Sequence, residues 1–180
     1  MRHLLRLSLF VIFTPLVFAG CTKDHLLPDA TSDGRNTFGF KVNGKVWIPD
    51  GTPAGKNPAM KPITIEFSRV KADTFSIAIY ASASTMDRVQ LTLPKATLGI
   101  NQLTDSRQYA TPSFAIYYDD INYRHFYQYG VNPGKVVITR LDTLAGVISG
   151  TFEFEGQEIL KKQTVSITEG RFDLNIKSLN

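Results

Sequence analysis

Aromatic side chains gather in one stretch of the chain, from Ala115 to Gly130, which holds five of the seven tyrosines. Flat rings can cover the apolar C–H faces of a glycan or a peptide while neighbouring polar groups hold its hydrogen-bonding atoms. The residues that we predict to bind such a ligand are Tyr117, Tyr118, Asn122, Tyr123, Arg124 and Tyr127. A simpler interpretation, which the sequence favours, is that aromatic residues prefer strands and that half of these rings face the core.

Carboxylates offer a second chemistry, because a glycoside hydrolase uses a pair of them. Asp119 and Asp120 are adjacent, and three glutamates follow later, at Glu153, Glu155 and Glu158. Neighbouring residues of a strand point to opposite faces, so the two aspartates would not act together in a regular strand. A hydrolase with an unrecognised carboxylate pair is therefore the alternative to a binding protein, and a solvated surface is the simpler explanation of these acids.

Other reactive groups are scarce. The segment from Gly146 to Gly150 places its serine one position too late for a nucleophile elbow. Beyond residue 20 the only histidines are His25 and His125, and no carboxylates stand out that would complete a zinc site with them. We expect no catalytic residue, no metal and no cofactor.

The first twenty residues have the order of a secretory signal: basic, then apolar, then small. Arg2 and Arg6 precede an apolar run from Leu7 to Phe18, and two small residues end it at Gly20. This run has 12 residues, whereas a helix that crosses a bilayer needs about 20. We predict that residues 1–20 are a cleaved signal peptide.

The residue after this segment is Cys21, the only cysteine of the chain. Together with the three residues before it, Cys21 resembles the lipobox of bacterial lipoproteins. The resemblance implies that the thiol receives a diacylglyceryl group, that the chain is cut before Cys21, and that acyl chains then hold the protein on a membrane. An ordinary signal peptide followed by a free thiol is the alternative.

Residues 21–36 are polar and contain Pro28 and Gly34, which predicts a flexible tether between the lipid and the domain. Within it, Lys23 and Asp24 resemble the signal that sends some Bacteroidetes-type lipoproteins to the outer face of the outer membrane. A merely solvated linker explains the same residues equally well. We expect a lipid-anchored protein of the cell envelope, at the outer membrane, and the sequence leaves open whether the domain faces the periplasm or the cell surface.

Charge argues against a nucleic-acid partner. The chain has 20 Lys and Arg, of which two lie in the signal peptide, and the remaining 18 face 16 Asp and Glu. These basic residues are scattered among the acids, whereas a nucleic-acid surface gathers them on one face.

The rest of the chain, residues 37–180, predicts a single β domain. Apolar residues alternate with polar ones from Phe38 to Val42, and Asn43-Gly44 then predicts a tight hairpin turn. Further alternating runs begin at Ile63 and Phe75, which we expect to pair as a second hairpin, and at Val89, Phe114, Lys135, Gly146, Val165 and Phe172. With turn signals between about nine or ten short strands and no amphipathic helix, the pattern favours an antiparallel β-sandwich, with a small β-barrel as the alternative.

Two details of this prediction concern strand ends. The run from Val89 should stop at Pro94, because proline cannot donate a backbone hydrogen bond. The last two runs should pair as a hairpin across Glu169-Gly170, since a polar residue followed by glycine is typical of a turn.

Two segments of the mature chain resemble a known family: LPDATSDGRNTFGFKVNGKVWIP near its start, and ITRLDTLAGVISGTFEFEG with ITEGRFDL near its end. They are similar to the conserved ends of small Bacteroidetes-type lipoproteins of unassigned function. The resemblance implies a cell-envelope lipoprotein and supplies no activity. From the sequence we expect a non-enzymatic binding or accessory domain that contacts the membrane through Cys21 and takes a glycan or peptide ligand.

Overall fold

The computed structural model describes residues 26–51, 60–104, 112–128, 134–158 and 160–179. The predicted signal peptide and Cys21 lie outside these ranges. The described residues form eleven strands and one short helix: β1 (Thr37–Val42), β2 (Lys45–Trp47), β3 (Ile63–Lys71), β4 (Thr74–Ser82), β5 (Arg88–Ala96), β6 (Gly99–Gln102), β7 (Phe114–Asp119), β8 (Arg124–Gln128), β9 (Lys135–Asp142), β10 (Val147–Glu158), β11 (Thr164–Asn175) and α1 (Ile176–Leu179).

All of these strands belong to one antiparallel sheet. Its order is β2-β1-β11-β10-β8-β7-β5-β4-β3, while β9 pairs with β10 and β6 pairs with β9. The long strand β10 makes this possible, because its first half pairs with β9 and its last three residues pair with β8. The sheet curls into a half-barrel. The predicted all-β antiparallel fold is confirmed. Because the strands form one continuous sheet curled around a shared core, the architecture is a half-barrel and not the two separate sheets of a sandwich.

The core lies on the concave face of the curl. Successive side chains of a strand point to opposite faces, so the apolar residues that alternate along each strand all point to this face. Its most buried large members include Phe38, Phe40, Ile77, Leu91 and Ile148. The ring of Phe38 lies 6.1 Å from that of Phe40, at a near-perpendicular angle that favours edge-to-face packing.

Both predicted N-terminal hairpins are present. Asn43 and Gly44 form the turn between β1 and β2 with φ values of 48° and 82°, as a two-residue turn of the I′ type requires. The second hairpin joins β3 to β4, with Lys71 opposite Thr74.

The two predicted strand ends, at Pro94 and at Glu169-Gly170, are both wrong. β5 continues through Pro94 to Ala96, because the pairing with β4 shifts register there and the pairing with β7 has already ended at Thr92. The missing N–H of Pro94 therefore leaves little of the ladder to break.

The expected turn at Glu169-Gly170 is instead an irregularity inside the continuous strand β11. The pairing of β11 with β10 shifts between Phe152 and Phe154, and Glu169 has a φ of 52°. A bulge absorbs an extra residue without reversing the chain. Merging these two predicted strands, and adding β6 and β8, accounts for eleven strands in place of nine or ten.

The described part of the predicted tether packs on the domain. Thr31 and the backbone from Asp33 to Arg35 donate hydrogen bonds to the carboxylate of Asp173 near the end of β11. The side chain of Asn36 accepts a hydrogen bond from the backbone N–H of Asn175. Residues 31–36 are therefore held against the sheet, which differs from the prediction of a flexible tether through residue 36.

Candidate functional site

A cavity of about 650 Å³ opens where the β1–β2 hairpin, the β7–β8 hairpin and the start of β11 meet. We call it the Trp47 cavity. Its lining residues are Val42, Asn43, Lys45, Val46, Trp47, Tyr117, Asp119, Arg124, Phe126, Gln163, Thr164 and Val165. Four separate stretches of chain contribute to it, residues 42–47, 117–119, 124–126 and 163–165, so the curl of the sheet is what assembles it.

Three aromatic side chains form the walls of the cavity. Trp47 packs on Phe40 with 4.6 Å between ring centroids and an interplanar angle of 32°. Tyr117 lies 6.1 Å from Phe126 on the neighbouring strand, and its ring meets Phe40 nearly edge-on. These contacts fix the three rings in place, since each packs against another buried ring.

Strand pairing explains why Tyr117 and Arg124 share this cavity. β7 and β8 pair with Tyr117 opposite Phe126 and Asp119 opposite Arg124. Alternation then places all four side chains on the concave face of the sheet. Two of the predicted binding residues, Tyr117 and Arg124, are thus brought together with an acid and a ring.

The polar part of the cavity is centred on an ion pair between Asp119 and Arg124. Asn122 donates to the same carboxylate from its backbone at 3.1 Å and from its side-chain amide at 2.8 Å. Arg124 also donates to the amide oxygen of Gln163 at 2.9 Å. Partial burial would raise the pKa of Asp119, but the hydrogen bonds from Arg124 and Asn122 outweigh it and hold the pKa below its usual range. Asp119 is therefore ionised at neutral pH.

Tyr117 is linked to a second acid, Asp87, behind the cavity wall. Burial raises the pKa of Tyr117, and the nearby negative charges of Asp87 and Asp119 raise it further. Its hydroxyl therefore stays protonated and donates to the Asp87 carboxylate, which also accepts a 3.1 Å hydrogen bond from Thr85. Burial is the main reason why the pKa of Asp87 is raised in turn.

Four buried polar atoms in the described part of the chain lack hydrogen-bond partners, and of the residues that carry them only Trp47 lines the cavity. They are the indole Nε1 of Trp47, both amide atoms of Gln128 and Oε2 of Glu158. Gln128 pairs with Gly156 and Phe126 pairs with Glu158, so Gln128 and Glu158 are diagonal neighbours on one face of the sheet. Leaving such groups unpaired in the interior costs free energy.

The other two strand tyrosines among the predicted binding residues, Tyr118 and Tyr127, lie on the opposite, convex face. The Tyr118 hydroxyl donates to Gln90 at 3.1 Å, and the guanidinium of Arg88 lies 4.6 Å from the Tyr118 ring centroid. His125 lies between the two tyrosines, with centroid distances of 4.9 Å to Tyr118 and 6.4 Å to Tyr127. A smaller cavity of about 410 Å³ lies beside Tyr118.

The two remaining predicted residues lie in the turn between β7 and β8. Asn122 donates hydrogen bonds to the Asp119 carboxylate and does not line the cavity. Tyr123 is 91% exposed and has a φ of 52°. The six predicted residues therefore fall into three groups: two in the cavity, two on the convex face and two in the turn.

Sequence reasoning missed the contribution of the β1–β2 hairpin. Trp47 is the only tryptophan of the chain. It lies two residues after Lys45, so both side chains leave the same face of the strand, and this spacing could have identified both as candidate binding residues. Gln163 carries no such signal, because it reaches the cavity only through the fold.

The acids considered for catalysis do not converge. Asp120 is on the convex face, with Arg88 at 2.7 Å and His125 at 3.7 Å, whereas Asp119 is in the cavity. Glu153 is paired with Lys135 at 2.9 Å. The described residues contain no group of three or more His, Cys, Asp or Glu side chains that could hold a metal ion. In the same part of the chain, no helix is long and apolar enough to cross a membrane.

Comparison with known proteins adds one finding. A family model described as a domain of unknown function (DUF6252) matches residues 64–174. This region contains β4 to β10 and most of β3 and β11, so it includes Tyr117, Arg124 and Gln163 but not the β1–β2 hairpin. No curated protein and no solved structure matches the chain.

Proposed function

This chain belongs to the family of domains of unknown function DUF6252. Since the family supplies no activity, we propose a function from the geometry of the Trp47 cavity: the protein is a non-enzymatic glycan-binding lipoprotein of the cell envelope. In this proposal Cys21 carries the lipid anchor, at the outer membrane, and the Trp47 cavity takes the sugar.

The observation that carries the proposal is the combination of three fixed rings with hydrogen-bonding side chains around one concavity. Trp47, Tyr117 and Phe126 offer apolar surface, while Asn43 and Gln163 offer amide groups. A volume of about 650 Å³ lies within the range of about 300–1,000 Å³ that is usual for small-ligand sites. Sugars need this mixture, because their rings have apolar faces and a polar rim.

The state of the acids supports binding over hydrolysis. Asp119 already accepts hydrogen bonds from Arg124 and Asn122, and Asp87 accepts them from Tyr117 and Thr85. Carboxylates with these partners organise the cavity wall. A hydrolase with an unrecognised acid pair is the alternative, for which the raised pKa of Asp87 beside an ionised Asp119 is the supporting feature.

The position of the N-terminal segment also supports an anchored binding domain. This segment joins the sheet at Asp173, whereas the cavity lies at Thr164, at the other end of β11. Asp173 is nine residue steps along the strand from Thr164, which corresponds to roughly 30 Å. An anchor before residue 26 would thus hold the domain by one end and leave the cavity at the far end.

The test is a calorimetric binding screen of the purified protein against oligosaccharides and short peptides, repeated with Gln163→Ala and Tyr123→Ala. Loss of the Gln163 amide should weaken glycan binding about fivefold to tenfold. Tyr123→Ala is the matched control, since that ring is 91% exposed and outside the cavity. Binding of peptides alone, or glycan binding that Gln163→Ala leaves unchanged, would contradict the proposal, and measurable turnover of a bound glycan would favour the hydrolase.

A further inference from the structure

Charge distribution narrows the class of glycan that the Trp47 cavity would take. Two cations line the cavity, Lys45 and Arg124, against one acid, Asp119. Arg124 is committed to Asp119 and Gln163. Within the described part of the chain, Lys45 has no ion pair or hydrogen bond from its side chain, so the lining carries one positive charge in excess.

Lys45 is also positioned beside the aromatic wall. Lys45 and Trp47 are two residues apart on β2, so their side chains leave the same face of the strand. Lys45 is exposed, whereas Trp47 is 9% exposed. The long, flexible side chain of Lys45 at the rim could thus bring its ammonium group to a sugar ring that packs against Trp47.

From these positions we infer that the ligand is an acidic glycan, in which a uronic acid places its sugar ring against the cavity wall and its carboxylate on Lys45. This inference rests on the proposed glycan-binding function. One free ammonium group matches the single charge of a carboxylate, whereas a doubly charged phosphate group calls for several cations or backbone donors. The second nearby acid, Asp87, lies outside the lining and is occupied by Tyr117 and Thr85.

The test uses the full-length chain, expressed in a bacterial host and purified in detergent. The probes are oligogalacturonate, oligomannuronate and hyaluronan fragments, each compared with its carboxyl-reduced, neutral counterpart by calorimetry. At least one acidic probe should bind about tenfold more tightly than its neutral counterpart, and higher salt should reduce this preference.

Variants of the lysine identify the contact. Lys45→Gln should abolish the preference for the acidic probe, Lys45→Arg should keep it, and Lys71→Gln should keep it because Lys71 is exposed at the end of β3, away from the cavity. Melting temperatures of the variants check that each one is folded.

The possible failures are distinguishable. Neutral probes that bind as tightly as the acidic ones, or an acidic preference that survives Lys45→Gln, would overturn the inference and leave glycan binding intact. If no probe binds, acidic or neutral, and the broader oligosaccharide screen is also negative, both the inference and the proposed function are overturned.

Discussion

The carboxylate of Asp173 accepts a hydrogen bond of 2.6 Å from the hydroxyl of Thr31, a residue 142 positions earlier in the chain. The same carboxylate accepts bonds from Ser149 at 2.7 Å and from the backbone of Asp33 and Gly34 at 3.0 and 2.7 Å. Asp173 is 1% exposed. This one buried acid therefore joins the N-terminal segment to two strands of the sheet.

Replacing this acid should loosen the N-terminal segment. Asp173→Asn keeps the size of the side chain but removes the charge and presents an N–H₂ group to donors, so the free energy of unfolding should fall by about 2–3 kcal/mol. Urea denaturation measures this loss, and faster hydrogen exchange at Asp33 and Gly34 would locate it. Asp33→Asn is the control, because its exposed side chain pairs only with exposed Arg35 among the described residues. Equal losses in the two variants would contradict the role given to Asp173.

The same contacts make stability depend on pH. Burial disfavours ionisation of Asp173, but hydrogen bonds from Thr31, Ser149 and the backbone of Gly34 and Asp33 lower its pKa from 3.8 to about 2. A lowered folded-state pKa contributes stability that is present above the unfolded value and is lost as pH falls through the folded value. The stability difference between the natural protein and Asp173→Asn should therefore shrink from about pH 5 to about pH 2. A constant difference over this range, in denaturation curves at several pH values, would exclude the charge as the cause.

Truncation of two tyrosines in the same aromatic stretch should affect the stability of the protein to very different extents. Tyr117 is 7% exposed and packs on Phe40 and Phe126, whereas Tyr123 is 91% exposed. Tyr117→Ala should lower the free energy of unfolding by about 3–5 kcal/mol, and Tyr123→Ala should change it by less than about 0.5 kcal/mol. Denaturant unfolding of both variants tests this, and a small loss for Tyr117→Ala would mean that the concave wall is not part of the core.

Membrane attachment should depend on one thiol. Cys21→Ala removes the only group that can form the thioether, so the protein should leave the membrane fraction while its domain, held by an apolar core, keeps its melting temperature. Thr22→Ala is the adjacent control and should stay membrane-bound. Fractionation after a salt wash decides the matter, and a Cys21→Ala protein that still sediments with membranes would contradict lipid anchoring.

Local patterns in the sequence were sufficient for the hairpins. Asn43-Gly44 predicted the first turn correctly, because only residues that tolerate positive φ suit such a short connection. The alternation from Ile63 and from Phe75 predicted β3 and β4, and the same period predicted that only half of the rings in the aromatic stretch face the core. Each of these conclusions depends on residues close together in the chain.

Contacts between distant segments decided the rest. Gly170 resembles a turn residue in the sequence, yet pairing with both β1 and β10 keeps β11 continuous past it, with a bulge in place of a turn. Thr31 belongs to a polar segment that resembles a linker, and its hydrogen bond to Asp173, far away in the sequence, fixes it to the sheet.

The cavity follows the same rule. By itself the sequence determined the strand periodicity, the turns and the two-faced character of the aromatic stretch, because these follow from backbone geometry over a few residues. Only the tertiary structure decided that the concave face receives Tyr117 and that Trp47, some 70 positions earlier, completes the same wall. The physical reason is that the curl of the sheet, which brings β2 near β7 and β8, results from the summed packing of many strands.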